Sequence, residues 1–256
     1  MFKEYPSLRL DGDKIERSMH EVVEEVPLSI FINGRHFVTA MISPSMRREF
    51  VIGHLFSERF VSGINEIESL EIEGNVARAI VTNPMRTILP RRPIVSGCGG
   101  ISSFLDESKL PEIRSDEKIE RDDIYKAMKA ISQSKLHEST GGVHSVGLFG
   151  KDGAIHISED IGRHNALDKV IGYGLIQGTN FSEIFAASTG RISSDMALKC
   201  SVAGIPIIAS RGATTSLAIS IAERTGLSII GFARGKRMNI YTNPWRIEGL
   251  ELEKAE

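Results

Sequence analysis

The sequence predicts an α/β protein in which a layered α/β domain is preceded by a small α+β subdomain. Two observations predict this class. Strand-like and helical patterns alternate in the second half, whereas two hairpin signals flank one helical segment in the first half. The 256 residues give room for two modest domains. We therefore predict the α+β subdomain over 1–101, ending in a cysteine-containing loop, a connection over 102–121, and the α/β domain over 122–256.

The first half contains two strand pairs and one helix. The first pair joins at Asn33-Gly34, a strong signal for a two-residue hairpin turn, and the second turns at Gly74-Asn75. Glycine and proline content over 85–100 predicts an irregular segment. The predicted strands cover residues 28–32, 36–42, 67–73 and 76–82, and the predicted helix covers residues 46–60.

The second half alternates between strands and helices after an initial helix and hairpin. Strand–helix–strand units with short connections are expected to be parallel and right-handed. In order, we predict a helix over 122–137, strands over 143–149 and 154–158, a helix from about residue 162, a strand over 183–188, a helix over 193–202, a strand over 205–210, a helix over 214–225 and a strand over 227–232.

Composition restricts the partners and the compartment. The formal net charge is -2, which argues against a nucleic-acid coat or a binder of anionic membranes. No apolar run approaches the length needed to span a bilayer. Residues 1–10 lack the apolar core of a signal peptide, so we expect a cytoplasmic protein.

The segment Glu159 to Lys169 is the most concentrated polar motif of the chain. If it is helical from about Gly162, then Asp160, His164 and Asp168 lie on one face at intervals of four residues. An apolar stripe is enough for a helix to fold, so this polar ladder indicates the wall of a site. The alternative is a satisfied His–Asp pair on a solvated face.

Three successive parallel strands are followed by glycine and arginine. The strand ends lead into Gly190-Arg191, Arg211-Gly212 and residues 233–237. Ligands bind at the carboxyl ends of such strands, and helix N-termini and arginines both attract phosphate. We predict phosphate binding here, against the alternative of ordinary loops with solvated arginines. Neither a P-loop nor a G-x-G-x-x-G fingerprint is present.

The two cysteines differ in their surroundings. Cys98 lies between glycines and close to Arg91 and Arg92, the setting of an exposed thiol with a lowered pKa. A structural loop cysteine is the alternative. Cys200 lies in an apolar helical segment and is predicted to be buried. No zinc-ligand motif accompanies the histidines, so we predict no metal site, and His144 either faces the same cleft as His164 or satisfies a loop.

The long polar motif resembles the signature of the formate dehydrogenase accessory sulfurtransferases. The same likeness extends over residues 190–193, 203–206 and 231–241, and covers the chain from Val26 to Thr242. The resemblance implies a cytidine-deaminase-like α/β domain without its zinc site. It implies a cytoplasmic homodimer that takes sulfur from a cysteine desulfurase. The acceptor it implies is the molybdenum (or tungsten) bis-pterin guanine dinucleotide cofactor of formate dehydrogenase.

The resemblance also assigns residues. Cys98 falls at the family's persulfide-carrying cysteine, and residues 232–237 fall in the segment that binds the guanine dinucleotide. Many members have C-x-x-C here, whereas this chain has Ile101 at the second position, which puts a two-thiol relay in doubt. The candidate cofactor-binding residues, from the motifs and the resemblance together, are Phe232, Ala233, Arg234, Gly235, Lys236, Arg237, Gly190, Arg191, Arg211, His144, Asp160, Arg163, His164 and Asp168.

The leading hypothesis is therefore a sulfurtransferase that carries sulfur on Cys98. One alternative is a carrier or chaperone for the cofactor that moves no sulfur, which the missing second thiol favours. The other is a nucleotide hydrolase on the same scaffold, distinguished by consumption of guanosine nucleotides.

Overall fold

The computed structural model describes residues 1–82 and 110–250. The predictions for Cys98, Ile101 and the irregular segment over 85–100 lie outside these residues. Within the described ranges, no helix combines the length and the apolar character that crossing a membrane requires.

The first half is built on a four-stranded sheet covered by one helix. Its strands have the order β4-β3-β6-β5, with β3 and β6 parallel and the other pairs antiparallel. Leu28, Ile30, Phe50 and Leu55 are fully buried between the sheet and the helix. Both predicted hairpins are confirmed. The elements are β3 (Val26–Ile32), β4 (Arg35–Ile42), α1 (Arg47–Ser57), β5 (Ile67–Glu73) and β6 (Val76–Val81).

An antiparallel hairpin that the sequence analysis missed precedes this sheet. It consists of β1 (Phe2–Asp11) and β2 (Lys14–Val23), which pair with each other and with no other strand of the described ranges. The turn contains Gly12 at φ 60°, in the left-handed region that favours glycine. The two turn residues, Gly12-Asp13, were the available signal for a hairpin. Below, the hairpin is called the arm.

The second half is a layered α/β unit around a six-stranded sheet. The sheet order is β13-β12-β11-β10-β8-β9, and β10, β11 and β12 are parallel, as predicted. Of the helices that the structure describes, one packs on one face of this sheet and three pack on the other. The elements are β7 (Ile119–Glu120), α2 (Arg121–Ile131), α3 (Lys135–Thr140), β8 (His144–Gly150), β9 (Gly153–Asp160), α4 (Arg163–Gln177), β10 (Phe185–Ser188), α5 (Ser194–Ala203), β11 (Ile207–Ser210), α6 (Ser216–Thr225), β12 (Ser228–Arg234), β13 (Arg237–Ile240) and β14 (Ile247–Glu248).

Two element predictions need correction. The single helix over 122–137 is wrong, because α2 ends at Ile131 and α3 begins at Lys135. The Ser134 hydroxyl accepts a hydrogen bond from the His137 amide and so caps a new helix. The third strand does not run into an open loop. It turns at Gly235-Lys236 into β13, an antiparallel strand that was not predicted.

The segment before α2 is attached to the second half. Ile113 and Ile119 are buried in its two hydrophobic clusters, and β7 pairs in parallel with β14. The described part of the predicted connection thus contributes to the core that it precedes.

Helices α1 and α4 join the two halves through direct backbone contact. A Cβ on Gly53 would lie 1.8 Å from the Asp168 carbonyl oxygen, and a Cβ on Gly172 would lie 1.8 Å from the Glu49 carbonyl oxygen. Only glycine permits this approach at either position. The crossing fixes the first half against the helix that carries the polar motif.

Candidate functional site

The carboxyl ends of β10 and β11 form two matched turns. In each, the serine that ends the strand accepts a hydrogen bond from the amide of the glycine two residues later: Gly190 to Ser188 at 3.1 Å, and Gly212 to Ser210 at 2.9 Å. The Ser210 hydroxyl also donates to the Gly190 carbonyl oxygen. The hydrogen bonds hold the two turns side by side and leave Arg191 and Arg211 exposed.

The third strand joins this edge through its backbone. The Phe232 amide donates to the Gly212 carbonyl oxygen at 2.9 Å, and Arg234 Nε donates to the Arg211 carbonyl oxygen at 2.9 Å. Phe232 lies at an irregularity in the strand with φ 53° and remains 41% exposed. The Ala233 side chain is buried in the core, so only its backbone could contact a ligand.

His144 and Arg163 close the opposite end of the same edge. A Cβ on Gly190 would lie 2.9 Å from Arg163 Cδ and 3.2 Å from His144 Nδ1, so both side chains pack directly on the first turn. Burial, with a further contribution from the Arg163 charge, lowers the pKa of His144 and favours its neutral form. Arg163 Nε is buried and has no hydrogen-bond partner among the described residues.

The geometry therefore brings most of the predicted residues together. We call this surface the basic edge and define it by His144, Arg163, Gly190, Arg191, Arg211 and residues 232–237. Helices α5 and α6 begin beside it, and their N-caps Ser193 and Thr215 accept hydrogen bonds from Met196 and Ala218 amides. Clustered guanidinium groups, glycine turns and two helix N-termini form a setting that favours phosphate.

Asp168 does not face the basic edge. Its carboxylate is buried and is held by the Lys199 ammonium at 3.0 Å, His54 Nδ1 at 2.8 Å and the Ser57 hydroxyl at 2.8 Å. Burial alone would raise the pKa of Asp168, but Lys199 and then His54 outweigh it and lower the pKa to about 2. The carboxylate thus ties α4 to α1 and α5.

Asp160 is held in a second buried cluster. One carboxylate oxygen accepts from Lys169 Nζ at 2.6 Å and from the Ser43 amide at 3.0 Å; the other accepts from the Gly162 amide and the Asn165 side chain. Burial lowers the pKa of Lys169, and the Asp160 carboxylate partly offsets this. Like Asp168, Asp160 connects the first half to the second.

The predicted polar ladder is accordingly wrong. Asp160 is the last residue of β9 and lies outside α4, which begins at Arg163. Asp160, His164 and Asp168 have separate partners, and the carboxylates of Asp160 and Asp168 are saturated by groups of the protein. The prediction that Asp160, His164 and Asp168 bind the cofactor together rested on a shared helical face. Because Asp160 is not on the helix, no such face exists.

His164 belongs to a third group behind the basic edge. Its Nε2 lies 3.0 Å from the Ser193 hydroxyl and 3.5 Å from a carboxylate oxygen of Asp195. Burial raises the pKa of Asp195 to about 6, although the charge of Lys199 acts against this shift. A carboxyl that titrates near neutral pH, beside a histidine and at the start of α5, is a candidate proton donor and acceptor.

Cys200 is fully buried in the cluster between the sheet and its helices. Burial raises the pKa of its thiol to about 12, which keeps it protonated and unreactive. The prediction of a buried apolar role for Cys200 is confirmed. Cys98 lies outside the described residues.

Sequence reasoning missed the partners of the buried acids. Ser43, His54, Ser57 and Lys199 come from distant segments, whereas Lys169 lies within the polar motif itself. Lys199 offered a signal, because it interrupts an otherwise apolar stretch of helix and a buried lysine requires an anionic partner.

Comparison with known proteins identifies relatives over nearly the whole chain. A family model described as the FdhD/NarQ family matches residues 23–248. "Sulfur carrier protein FdhD" from Methanothermobacter thermautotrophicus is 37% identical over 249 residues, which are 96% of this chain and 99% of the relative. The protein of the same name from Thermoplasma acidophilum is 36% identical over 250 residues, covering 91% of this chain and 88% of the relative.

A solved structure has a similar mixed α/β fold. It is a crystal structure of a "putative formate dehydrogenase accessory protein" from Desulfotalea psychrophila. The TM-score is 0.79 at 26% sequence identity, and the match covers 96% of this chain and 99% of the other.

Proposed function

The chain belongs to the FdhD/NarQ family, and from this premise we propose that it is a sulfur carrier that serves formate dehydrogenase. The observation that carries the proposal is the 37% identity, over 96% of the chain, to a relative named as a sulfur carrier. The basic edge adds a surface suited to a phosphate-containing acceptor. We place the reaction in the cytoplasm, with a cysteine desulfurase as the sulfur donor.

In this proposal Cys98 carries the sulfur. Its thiolate attacks the outer sulfur of the donor's persulfide; a new sulfur–sulfur bond forms, and the donor cysteine leaves as a thiolate. Oxidation state balances, because one persulfide replaces another. The buried thiol of Cys200, with its pKa raised to about 12, is unsuited to the same reaction.

The basic edge would hold the acceptor, the molybdenum (or tungsten) bis-pterin guanine dinucleotide cofactor, as a substrate. Arg191, Arg211 and Arg234 suit its phosphates, since planar guanidinium groups bind phosphate through paired hydrogen bonds. The exposed ring of Phe232 suits a planar base. His164 and Asp195 would exchange the proton that accompanies sulfur release. We further propose that the six-stranded sheet with helices on both faces is a cytidine-deaminase-like domain.

A second candidate is a cofactor carrier or chaperone that transfers no sulfur. The observation that favours it is Ile101, which replaces the second cysteine of the C-x-x-C found in many relatives of this kind. Both candidates use the basic edge, and only the sulfur carrier needs Cys98.

The test is restoration of formate dehydrogenase activity in a host that lacks its own carrier. We expect the wild type to restore formate-dependent dye reduction. The Cys98→Ala variant should fail to restore it. Cys200→Ala is the matched control and should restore activity. Full restoration by Cys98→Ala would favour the chaperone, and failure of the wild type with a donor from the same source would contradict both candidates.

Binding at the basic edge is tested separately with guanosine diphosphate as the probe. In calorimetry, Arg191→Ala and Arg211→Ala should each raise the dissociation constant about tenfold, the loss expected for one charge-assisted contact. Arg35→Ala, an exposed arginine on β4, is the control and should bind as the wild type does. Equal affinity of all variants would contradict this placement, and consumption of the nucleotide would indicate a hydrolase.

A further inference from the structure

Two charged pairs connect α4 to α5, one helical turn apart. In the first, His164 Nε2 lies 3.5 Å from a carboxylate oxygen of Asp195. In the second, Lys199 Nζ lies 3.0 Å from each carboxylate oxygen of Asp168. Each helix contributes two residues spaced by four, which share a face. Because the first pair lies at the start of both helices, it is the pair nearer to the basic edge.

The second pair also contacts the end of α1. Lys199 Nζ donates to the Ser57 hydroxyl at 2.8 Å and to a Glu58 carboxylate oxygen at 3.3 Å. The side chain of Lys199 is 4% exposed, and that of Glu58 is 15% exposed. One buried ammonium is thus held by groups of α4 and α1 and shared by two carboxylates.

The second carboxylate exceeds what the ammonium needs. A buried ammonium requires one acid to balance its charge, and Asp168 already binds Lys199 through both oxygens. With Glu58 added, two negative charges surround one positive charge. The excess negative charge favours a bound proton on a carboxyl nearby, and Asp195 lies one turn before Lys199 on α5.

Asp195 lies among charges from three helices. Burial raises its pKa to about 6, the Lys199 charge lowers it, and the Glu58 charge raises it. Its short distance to His164 couples the two groups, so the proton belongs to the pair. The charged and titratable groups that act on Asp195 or face it are Lys199 on α5, His164 and Asp168 on α4, and His54 and Glu58 from α1 and its end.

We propose that Glu58 and Lys199 are positioning residues that control the proton held by the His164–Asp195 pair. Glu58 offsets the field of Lys199, so Asp195 can take up a proton near neutral pH. Because Glu58 belongs to the first half of the chain, packing of that half against the α/β unit becomes a condition for proton exchange. The use of this proton in sulfur release rests on the proposed function, whereas the coupling itself does not.

The coupling is tested by an NMR titration of the full chain, labelled with ¹³C at the aspartate carboxyl groups. The Asp195 resonance is assigned by its absence in Asp195→Asn. Glu58→Gln removes one charge with little change of shape. It should lower the titration midpoint of Asp195 by at least about half a pH unit, because the field of Lys199 is then less opposed. An unchanged midpoint would overturn the proposal.

Two further variants separate this charge effect from other causes. Glu223→Gln removes the same charge from an exposed position on α6 and should leave the midpoint of Asp195 unchanged. Glu58→Asp keeps the charge on a shorter side chain, so its midpoint should stay closer to that of the wild type than to that of Glu58→Gln. Equal midpoints of the two Glu58 variants would show that packing, and not charge, sets the protonation, which would contradict the proposal.

The use of the proton is tested by the rate at which the sulfur-loaded protein activates formate dehydrogenase, measured against pH. If the pair donates a proton, the rate falls as the pH rises through its titration, and Glu58→Gln should move this fall to lower pH by the shift seen in the NMR titration. A moved midpoint with an unmoved rate profile would support the coupling and contradict proton donation by the pair. Failure of the wild type to activate the enzyme would count against the proposed function alone, because the titration needs no sulfur donor.

Discussion

At the scale of single residues, the two acids of the polar motif hold the two halves of the chain together and do not face a ligand site. Asp160 and Asp168 are both buried, and each bonds to a lysine and to a residue of the first half of the chain. Burying a carboxylate is costly unless its charge is balanced and its oxygens accept hydrogen bonds. Both conditions hold here, so the two carboxylates stabilise the position of α4 behind the basic edge.

Removing one member of such a pair should be far more costly than removing an exposed pair. We expect Asp168→Asn to lower the free energy of unfolding by about 3 to 5 kcal/mol, because Lys199 is left buried without its main anion. The control is Asp123→Asn, whose exposed pair with Lys126 at 2.8 Å is screened by water, so this change should leave the free energy of unfolding nearly unaltered. Urea denaturation measures both. A loss below about 1 kcal/mol for Asp168→Asn would contradict the structural role.

The acid dependence of this contribution follows from the pKa of Asp168, about 2 in the folded protein and therefore below its unfolded value. A lowered carboxyl pKa contributes stability that is present above about pH 4. That stability is lost as the pH falls from about 4 towards 2.

Asp195 should behave in the opposite sense. Its pKa is raised to about 6, so the protonated form is favoured in the folded state. The corresponding stability is complete below about pH 4 and is lost as the pH rises through 6. We expect the stability that Asp195→Asn gains over the wild type to be about 2 kcal/mol larger at pH 7.5 than at pH 4.5. Urea denaturation at the two pH values checks this, and a difference independent of pH would refute the assignment.

At the scale of elements, the crossing of α1 and α4 depends on two glycines. Alanine is the better helix former by about 1 kcal/mol, so a helical glycine is retained only for a packing reason. At Gly53 and Gly172 that reason is the carbonyl oxygen of the opposite helix, 1.8 Å from any added Cβ. The close approach brings His54 within reach of Asp168.

Gly53→Ala and Gly172→Ala should therefore each lower the free energy of unfolding by about 3 kcal/mol or more, because two backbones must separate. Gly63→Ala is the control: its backbone is extended, with φ -179°, and nothing lies within 4 Å of the added Cβ. It should change stability by less than about 1 kcal/mol. Thermal or urea unfolding of the three variants provides the measurement. If all three were equally stable, α1 and α4 could move apart at little cost, which would contradict the prediction.

The elements that could be predicted from sequence are those with strong local signals. Asn33-Gly34 located one hairpin, and the short connections around α5 and α6 determined three parallel strands. The arm was not predicted because its apolar residues remain exposed on one face and pack against no core of the described residues. The break between α2 and α3 depends on one serine cap, a weaker signal than the helical spacing on either side.

At the scale of the whole molecule, the sequence could predict that the residues of the basic edge lie together. It could not predict the buried polar clusters behind that edge. Parallel strands place their carboxyl ends on one side of a sheet, so Gly190, Arg191 and Arg211 had to lie together. The buried clusters join residues more than a hundred positions apart, such as His54 and Asp168. Their pairing depends on how α1 packs on α4, which no local pattern specifies.

The account as a whole depends on Cys98 as the carrier of sulfur, and the intact mass of the protein tests this most directly. After incubation with a cysteine desulfurase and free cysteine, we expect one added sulfur atom on the wild type and on Cys200→Ala. Cys98→Ala should gain none, since Cys200 is fully buried and its pKa is about 12. No added sulfur on the wild type, with a donor active on another acceptor, would contradict the sulfur carrier function.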